Sequence, residues 1–397
     1  MSRARVVVLG ILGRMPFAGI AWQVAHYVEG LRRAGCEVHY LEDTGDWPYD
    51  LERNEITADP ASALRTLSEV LDALGLEGRW AYRAASDERP LHGLSEAQLD
   101  RVLEHADALV NLSGATRLRD EHRRVPVRIH LETDPVRPQI QVAQRHAETI
   151  ERLEAHTHHF SFGESLGRPE CGVPVERFHY QPTRQPVVVE WWEARAAAFP
   201  LAGAPAPSDS GRFTTVANWR QTGSDVEWKG ERYRWSKHSE FLKLLDLPRR
   251  TSETLELALS SIDDDTRELL RAHGWQLADA LALSRDPATY RGYLIASRAE
   301  LTVAKDQNVR LSSGWFSDRS ACYLAAGRPV VTQDTGFRRH LPTGIGLYTF
   351  RSADEALGAL ESIAADYPGN RRAAREIAHD CFDARTVVRS LLDRAGL

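Results

Sequence analysis

The chain has 397 residues, 42% hydrophobic and 27% charged, with a formal net charge of -6. That length suits two domains of ordinary size. The acidic balance speaks against a general nucleic-acid binder, and no apolar run reaches the length of a membrane span.

Cys36, Cys171, Cys322 and Cys381 are far apart and form no CxxC, so free thiols in a reducing cytoplasm are expected. Met1-Ser-Arg-Ala-Arg runs directly into a strand, which predicts no signal peptide and a cytoplasmic location. Many Arg and Ala against few Lys and Met associate the chain with GC-rich bacterial genomes.

Val6 to Leu9 reads as a buried strand by its β-branched run. A glycine-bearing loop over 10–19 includes Gly13 and Gly19. A helix with Trp22 inside it follows to about Ala34, then a strand over 37–41. This is a βαβ unit, the start of a doubly wound domain. The loop is not GxGxxG and carries no dinucleotide fingerprint, but Gly19 at the helix start allows a ligand close approach. Glu42 and Asp43 end the second strand, where a ribose contact or a plain surface turn both fit.

A helix starts at Ala61 and another at the cap Ser95. Strands are expected over 108–112, 126–131 and 159–162, with a helix over 139–155 between the last two. Open α/β sheets bind ligands off the carboxyl ends of their strands. Gly114, Asp134 and Glu164 terminate these strands and should crowd one edge, with Glu132 and His130 just behind. Asp134 before Pro135 also reads as a turn residue, and His130, alternating with apolar positions, also reads as a core histidine.

The domain boundary falls near Gln185, within Pro182-Thr-Arg-Gln-Pro186, giving domains over 1–185 and 186–397. The segment 201–211 is expected to be a mobile loop. A strand over 213–219 leads to Arg220, and the alternating charged and aromatic run 225–235 turns at Lys229-Gly230. Ser236 is expected to cap a helix with Lys237 in its first turn. Asp265-Thr-Arg-Glu268 has capping-box spacing, so Asp263 to Asp265 read as a cap and not as a metal motif. Strands over 255–259 and 301–303 and a helix over 288–297 complete the approach, with Lys305 at the last strand's end. The pattern over 275–283 fits helix or strand.

The most informative stretch is Leu311 to Pro342. Ser312, Ser313 and Gly314 form a turn, Trp315 and Phe316 stand before a helix, and Ser317 or Asp318 can cap it. Gly327 fits the C′ position, and Pro329-Val-Val-Thr332 is a short buried strand ending at Asp334-Thr-Gly336. A helix start behind a Ser-Gly loop suits a phosphate, and Arg319 offers a bidentate donor. Trp315 and Phe316 fit either packing or stacking on a nucleobase.

This order of parts, with Ala325-Ala-Gly-Arg-Pro-Val-Val-Thr332, resembles the donor-binding half of GT-B glycosyltransferases of the glycosyl transferases group 1 type. The opening, with Trp22 and Leu41-Glu-Asp-Thr-Gly-Asp-Trp-Pro48, resembles a poorly characterised bacterial branch. The resemblance implies two Rossmann-like domains facing across a cleft. The last helix, about 384–395, would pack back on the first domain. It implies a metal-independent transferase that moves a sugar from a nucleotide-diphosphate sugar, such as a UDP-sugar, to an acceptor hydroxyl. No cofactor is implied beyond that co-substrate, and a homodimer is left open. Lys237 takes the family's diphosphate lysine and Arg220 its arginine, with Lys305, Gly314, Trp315, Phe316, Ser317, Asp318 and Arg319 around the donor. Gly13, Gly19, Trp22 and Gly114 line the acceptor side or the cleft. The strand ending at Asp134 resembles the one that ends at the family's sugar-contacting histidine. Asp134, Glu164, Glu132 and His130, in that order, are the candidate bases. The family's glutamate pair is absent: Gly314 and Cys322 occupy those positions, and Asp318 stands nearby. A GT-B epimerase, a pseudoglycosyltransferase and an inactive sugar-nucleotide-binding scaffold are the alternatives.

Overall fold

The computed structural model describes residues 3–86, 88–193, 201 and 210–397. Most of the expected loop over 201–211 therefore lies outside the described residues. The first domain is built on an eight-stranded sheet: β1 (Arg5–Leu9), β2 (Glu37–Glu42), β3 (Trp80–Arg83), β4 (Leu91–Gly93), β5 (Ala108–Leu112), β6 (Val127–Glu132), β7 (His158–Ser161) and β8 (Tyr180–Pro182). Their order is β8-β7-β6-β5-β1-β2-β3-β4, and only the β4 edge runs antiparallel. Continuous apolar runs such as Val6 to Leu9 are what a sheet covered on both faces requires. Helix α1 (Ala18–Arg33) covers one face. The helix expected over 139–155 is instead two, α2 (Arg137–Ala143) and α3 (Ala147–Glu154), parted at Arg145, whose φ is +62°.

The second sheet has six parallel strands: β9 (Arg212–Asn218), β12 (Thr254–Ser260), β13 (Gln276–Asp279), β14 (Ala299–Thr302), β15 (Val330–Gln333) and β16 (Leu347–Phe350), in the order β13-β12-β9-β14-β15-β16. A hairpin of β10 (Val226–Trp228) and β11 (Glu231–Tyr233) stands apart, turning at Lys229 and Gly230, both at positive φ. Helices α4 (His238–Leu242), α5 (Asp264–Ala272), α6 (Pro287–Ala296), α7 (Asp306–Arg310), α8 (Asp318–Ala325), α9 (Tyr367–Phe382) and α10 (Ala384–Ala395) are among those that follow, with further helices over Ala280–Ser284 and Ala353–Ala365. Two caps differ from expectation. Asp263, not Asp265, accepts from Thr266 N at 2.8 Å and starts α5. Ser236 does not cap α4, because its hydroxyl donates to Trp219 O at 3.0 Å; Lys237 is the N-cap residue.

The chain crosses between the sheets at Val187, which bonds Phe382 O (2.7 Å) and Ala384 N (2.9 Å) and so returns α10 to the first domain. There α10 lies on α1. A Cβ on Gly30 would stand 2.9 Å from Ala384 O, so the helices approach at a residue with no side chain. Trp22, His26, Trp191 and Trp192 make an aromatic knot beside this crossing. No helix among the described residues is long and apolar enough to cross a membrane.

Candidate active-site cleft

The carboxyl edges of the two sheets face each other. Between them lies a chamber of about 380 Å³. Its first-domain wall comes from the β1–α1 loop and the start of α1: Met15, Phe17, Gly19, Ile20, Trp22 and Gln23. Its second-domain wall comes from the ends of β9 and β12 (Asn218, Ser260), from Ala280 and Leu281, and from the start of α8 at Ser317 to Arg319. Gly19 is open, with nothing within 4 Å of where a Cβ would sit. Ser317 makes no side-chain capping bond, so its hydroxyl leaves the first N–H groups of α8 uncapped.

Beside the chamber, charged groups from both domains converge. Lys305 donates to Asp134 Oδ1 at 2.7 Å, joining the second-domain and first-domain edges directly. Its ammonium also lies 3.2 Å from the centre of the Trp235 ring, a cation–π contact. Lys237 is buried, 5.7 Å from the Trp315 ring centre, and makes no ion pair among the described residues. Burial, then the neighbouring Arg319 and Lys305, push its pKa down to about 7. Asp318 is pushed the other way, up to about 7, by burial and then by Asp134, while Gln23 donates to it at 3.1 Å. Unpaired or uncompensated buried charge of this kind is costly, and it gathers where a ligand completes the balance.

The turn that presents Asp134 is strained. Val136, buried and β-branched, has φ +98°, a conformation that costs about 1–3 kcal/mol. Its N–H is held by Gln139 Oε1 at 2.7 Å, and Trp315 Nε1 grips the same turn through Thr133 O at 2.9 Å. Asp134 is therefore at the cleft, but it is tied to the second domain through Lys305 and not apart from it as its place in the first domain suggested.

Several expected site residues have other occupations. Arg319 spends its guanidinium on Glu300 Oε1 (2.6 Å), Val216 O (2.6 Å) and Thr302 Oγ1 (2.9 Å), so it is no swinging bidentate donor; it contributes fixed positive charge. Phe316 is core, packed on Phe337 and Phe382, so it is not free to stack on a base, while Trp315 ties the domains through its Nε1–H. Gly314, at φ +78°, lets Ser165 approach: a Cβ there would meet Ser165 N at 2.5 Å. Glu164 is paired with Arg184 at 2.7 Å, and Arg184 also bonds His340 O, so this carboxylate joins the domains and is already compensated. Arg220 is exposed on the loop after β9, 3.9 Å from Asp263 and outside the chamber's lining.

Glu132 and His130 lie beneath the cleft floor. Glu132 is buried, accepts from Gln139 and Ser161, and is raised to about 7 by burial. His130 is held well below its ordinary range by burial and by His156 and His159, whose rings surround it. Gly114, at φ +57°, exists for that histidine: a Cβ would stand 2.1 Å from its ring. Gly13 likewise faces inward, donating to Glu42 Oε2 at 2.7 Å. Trp22 donates to Pro287 O at 3.0 Å and is both a chamber wall and an interdomain bond.

Gln23, His26 and Trp235 were not singled out from sequence, although the aromatic run around Trp235 was visible. Asp43 is neither a surface turn nor a ribose ligand. Its buried carboxylate is ringed by Arg83, Arg89 and Arg119. With Glu121 and His122 it forms a group of metal-like spacing, but three guanidiniums already balance it and oppose a dication there.

No protein-family model matches the chain, and no curated protein matches it by sequence. Solved structures do match in shape. HepE (Alr3699) of Anabaena, crystallised with UDP and glucose, aligns over 99% of this chain and 100% of its own at a TM-score of 0.55 and 10% identity. A glycosyltransferase of Rickettsia africae aligns over 100% and 98% at 0.54 and 9% identity. Sucrose-phosphate synthase of Thermosynechococcus elongatus aligns over 99% and 98% at 0.54 and 13% identity. The fold is GT-B, two Rossmann-like domains with one cleft between them.

Proposed function

We propose that this GT-B chain is a glycosyltransferase that moves a sugar from a nucleotide-diphosphate sugar, of the UDP type, to an acceptor hydroxyl. One observation carries the reading. Inside the cleft of this fold, Lys237 and Lys305 are buried beside the uncovered start of α8 and face Asp134 of the other domain. Helix start and lysines together form an anion site in which Asp134 offsets Lys305 but Lys237 has no ion pair among the described residues, which suits a departing diphosphate. The nucleoside lies along the second-domain wall at Asn218, Ser260 and Ala280, and Asp318 takes the ribose contact that the absent glutamates would make. Ser260 and Asn218 already bond each other, so they present a fixed polar edge.

In this account Lys237 carries the largest change. Near neutral pH its ammonium is partly deprotonated, and an arriving diphosphate draws a proton onto it. Arg319 supplies fixed field without reorganising. Asp134, released from Lys305 as the phosphates engage that lysine, becomes available to the acceptor hydroxyl or to the developing sugar cation. Burial shields Lys237 and Lys305 from water. Lysines and helix start perform the charge stabilisation that a divalent ion would otherwise supply, so the reaction proceeds without metal. A panel of nucleotide sugars tests the reading. Free nucleoside diphosphate plus conjugate supports it; an isomerised donor marks an epimerase, and binding without turnover marks a scaffold.

A further inference from the structure

A second pocket, of about 280 Å³, opens off the carboxyl ends of β5 and β6, the edge where open α/β sheets place ligands. Its walls are the loop after β5 with Arg117, α2 with Arg137 and Gln141, and α3 with Thr149 and Arg152. None of these residues lines the chamber, and the transfer chemistry proposed above uses none of them. The lining is rich in donors and short of acceptors. Arg137 donates through Nη1 to Ser224 Oγ at 3.1 Å and makes no ion pair among the described residues. Arg152 makes none either, and its Nε is buried without a hydrogen-bond partner among them. Leaving a buried polar group unpaired is costly, so a missing acceptor is the natural complement of this guanidinium. The Thr149 hydroxyl donates to Gln141 Oε1 at 3.0 Å, which occupies that oxygen and leaves the Gln141 amide nitrogen to donate. Arg117 stands at the rim, paired with Glu151 at 2.9 Å. Glu148 is the one carboxylate of the lining; it is exposed and makes no ion pair among the described residues.

We infer that this pocket binds a phosphate group, free or carried on a small molecule, held between Arg137 and Arg152 with Gln141 donating beside them. Guanidiniums take phosphate through paired N–H···O bonds, and a phosphate group brings several acceptor oxygens and negative charge to a wall that supplies donors. A neutral sugar donates as well as accepts, and apart from Glu148 the wall gives its hydroxyls little to donate to. A divalent cation is opposed by the same guanidiniums. Glu148 works against the anion from the edge of the pocket, so its charge sets how tightly phosphate is held.

The test is calorimetric titration of the full chain with inorganic phosphate, glucose 6-phosphate and glucose, with excess UDP present to fill the lysine site. Wild type is compared with Arg152→Gln, Gln141→Glu and Glu148→Gln. The first removes a guanidinium, the second sets a carboxylate against both unpaired arginines, and the third removes the opposing charge at an exposed position. The expected result is phosphate or glucose 6-phosphate bound by wild type, with affinity about tenfold or more weaker in Arg152→Gln and Gln141→Glu, the scale of a charge-assisted hydrogen bond. Glu148→Gln should bind more tightly than wild type, and glucose should not bind. Glucose 6-phosphate bound more tightly than phosphate marks a group carried on a larger molecule, and equal affinities mark free phosphate. No binding of either by wild type overturns the inference. So do affinities that the three substitutions leave unchanged, weaker binding by Glu148→Gln, or glucose bound as tightly as its phosphate. The response to these substitutions locates the site in this pocket whether or not the transferase reading holds.

Discussion

At the scale of single residues, two buried groups of opposite kind differ in what they predict. Lys237 has its pKa depressed to about 7. Binding of UDP above that pH should therefore take up protons, seen as a binding enthalpy that changes with the ionisation enthalpy of the buffer. Lys237→Ala should abolish the uptake and weaken binding by about 1–3 kcal/mol, the scale of charge-assisted hydrogen bonds. An enthalpy independent of buffer would remove Lys237 from the phosphate site. Glu132 is raised to about 7 and lies below the floor of the cleft. A carboxyl raised on folding contributes stability below its unfolded pKa, near 4.3, and loses it as pH rises through the folded value. Glu132→Gln should flatten the fall in Tm between about pH 4 and 7 and leave turnover intact. Lost turnover would restore Glu132 as a candidate base. The place of Lys237 beside a helix start was readable in the sequence, while its burial was not. Glu132 misled because its number along β6 says nothing of Gln139 and Ser161, which close over it. Arg319 misled in the same way: its three acceptors come from β9 and β14, far from it in the chain.

At the scale of elements, segments with an apolar run or period bounded by turn signals were readable, several short strands included, and a few short elements were not. α1, β5, β9, α6 and α10 follow from their own residues, since apolar period and flanking caps act locally. β16 has four residues and α7 five, too few for a periodic signal, and both depend on neighbours for their form. The Asp134 turn shows what sequence conceals: Pro135 announces a turn, but nothing announces Val136 at φ +98°. The meeting of α1 and α10 gives a direct test. Gly30→Ala sets a methyl 2.9 Å from Ala384 O and 2.8 Å from Val388, and backbone cannot yield as a side-chain tip can. The substitution should destabilise the protein by about 1–3 kcal/mol, the usual cost of overpacking. Denaturant titration with an unchanged midpoint would mean that α10 is not seated on the first domain as described.

At the scale of the whole molecule, the claim is that two sheet edges make one reaction site. Two βαβ-type halves and the order of parts around Ala325 to Thr332 made the GT-B frame visible, but the interdomain bonds were not. Those bonds, Lys305 to Asp134, Trp315 to Thr133 O and Ser165 to His340, join residues distant in the chain. They also change what Asp134 should do. Because it offsets Lys305, Asp134→Asn should leave nucleotide affinity equal or slightly tighter while turnover falls by about 10²–10⁴, the scale of a positioned acid–base group. EDTA should leave the wild-type rate unchanged; loss on chelation restored by magnesium or manganese would assign charge stabilisation to an ion instead. The central claim is tested most directly by product analysis with UDP-sugar donors, a panel of hydroxyl acceptors, and wild type beside Asp134→Asn. The account predicts UDP and a glycosylated alcohol in equal amounts from wild type, and a hundredfold or greater loss in the variant with UDP still bound. Nucleotide sugar left intact or merely isomerised by wild type, or equal rates in the two proteins, would contradict it.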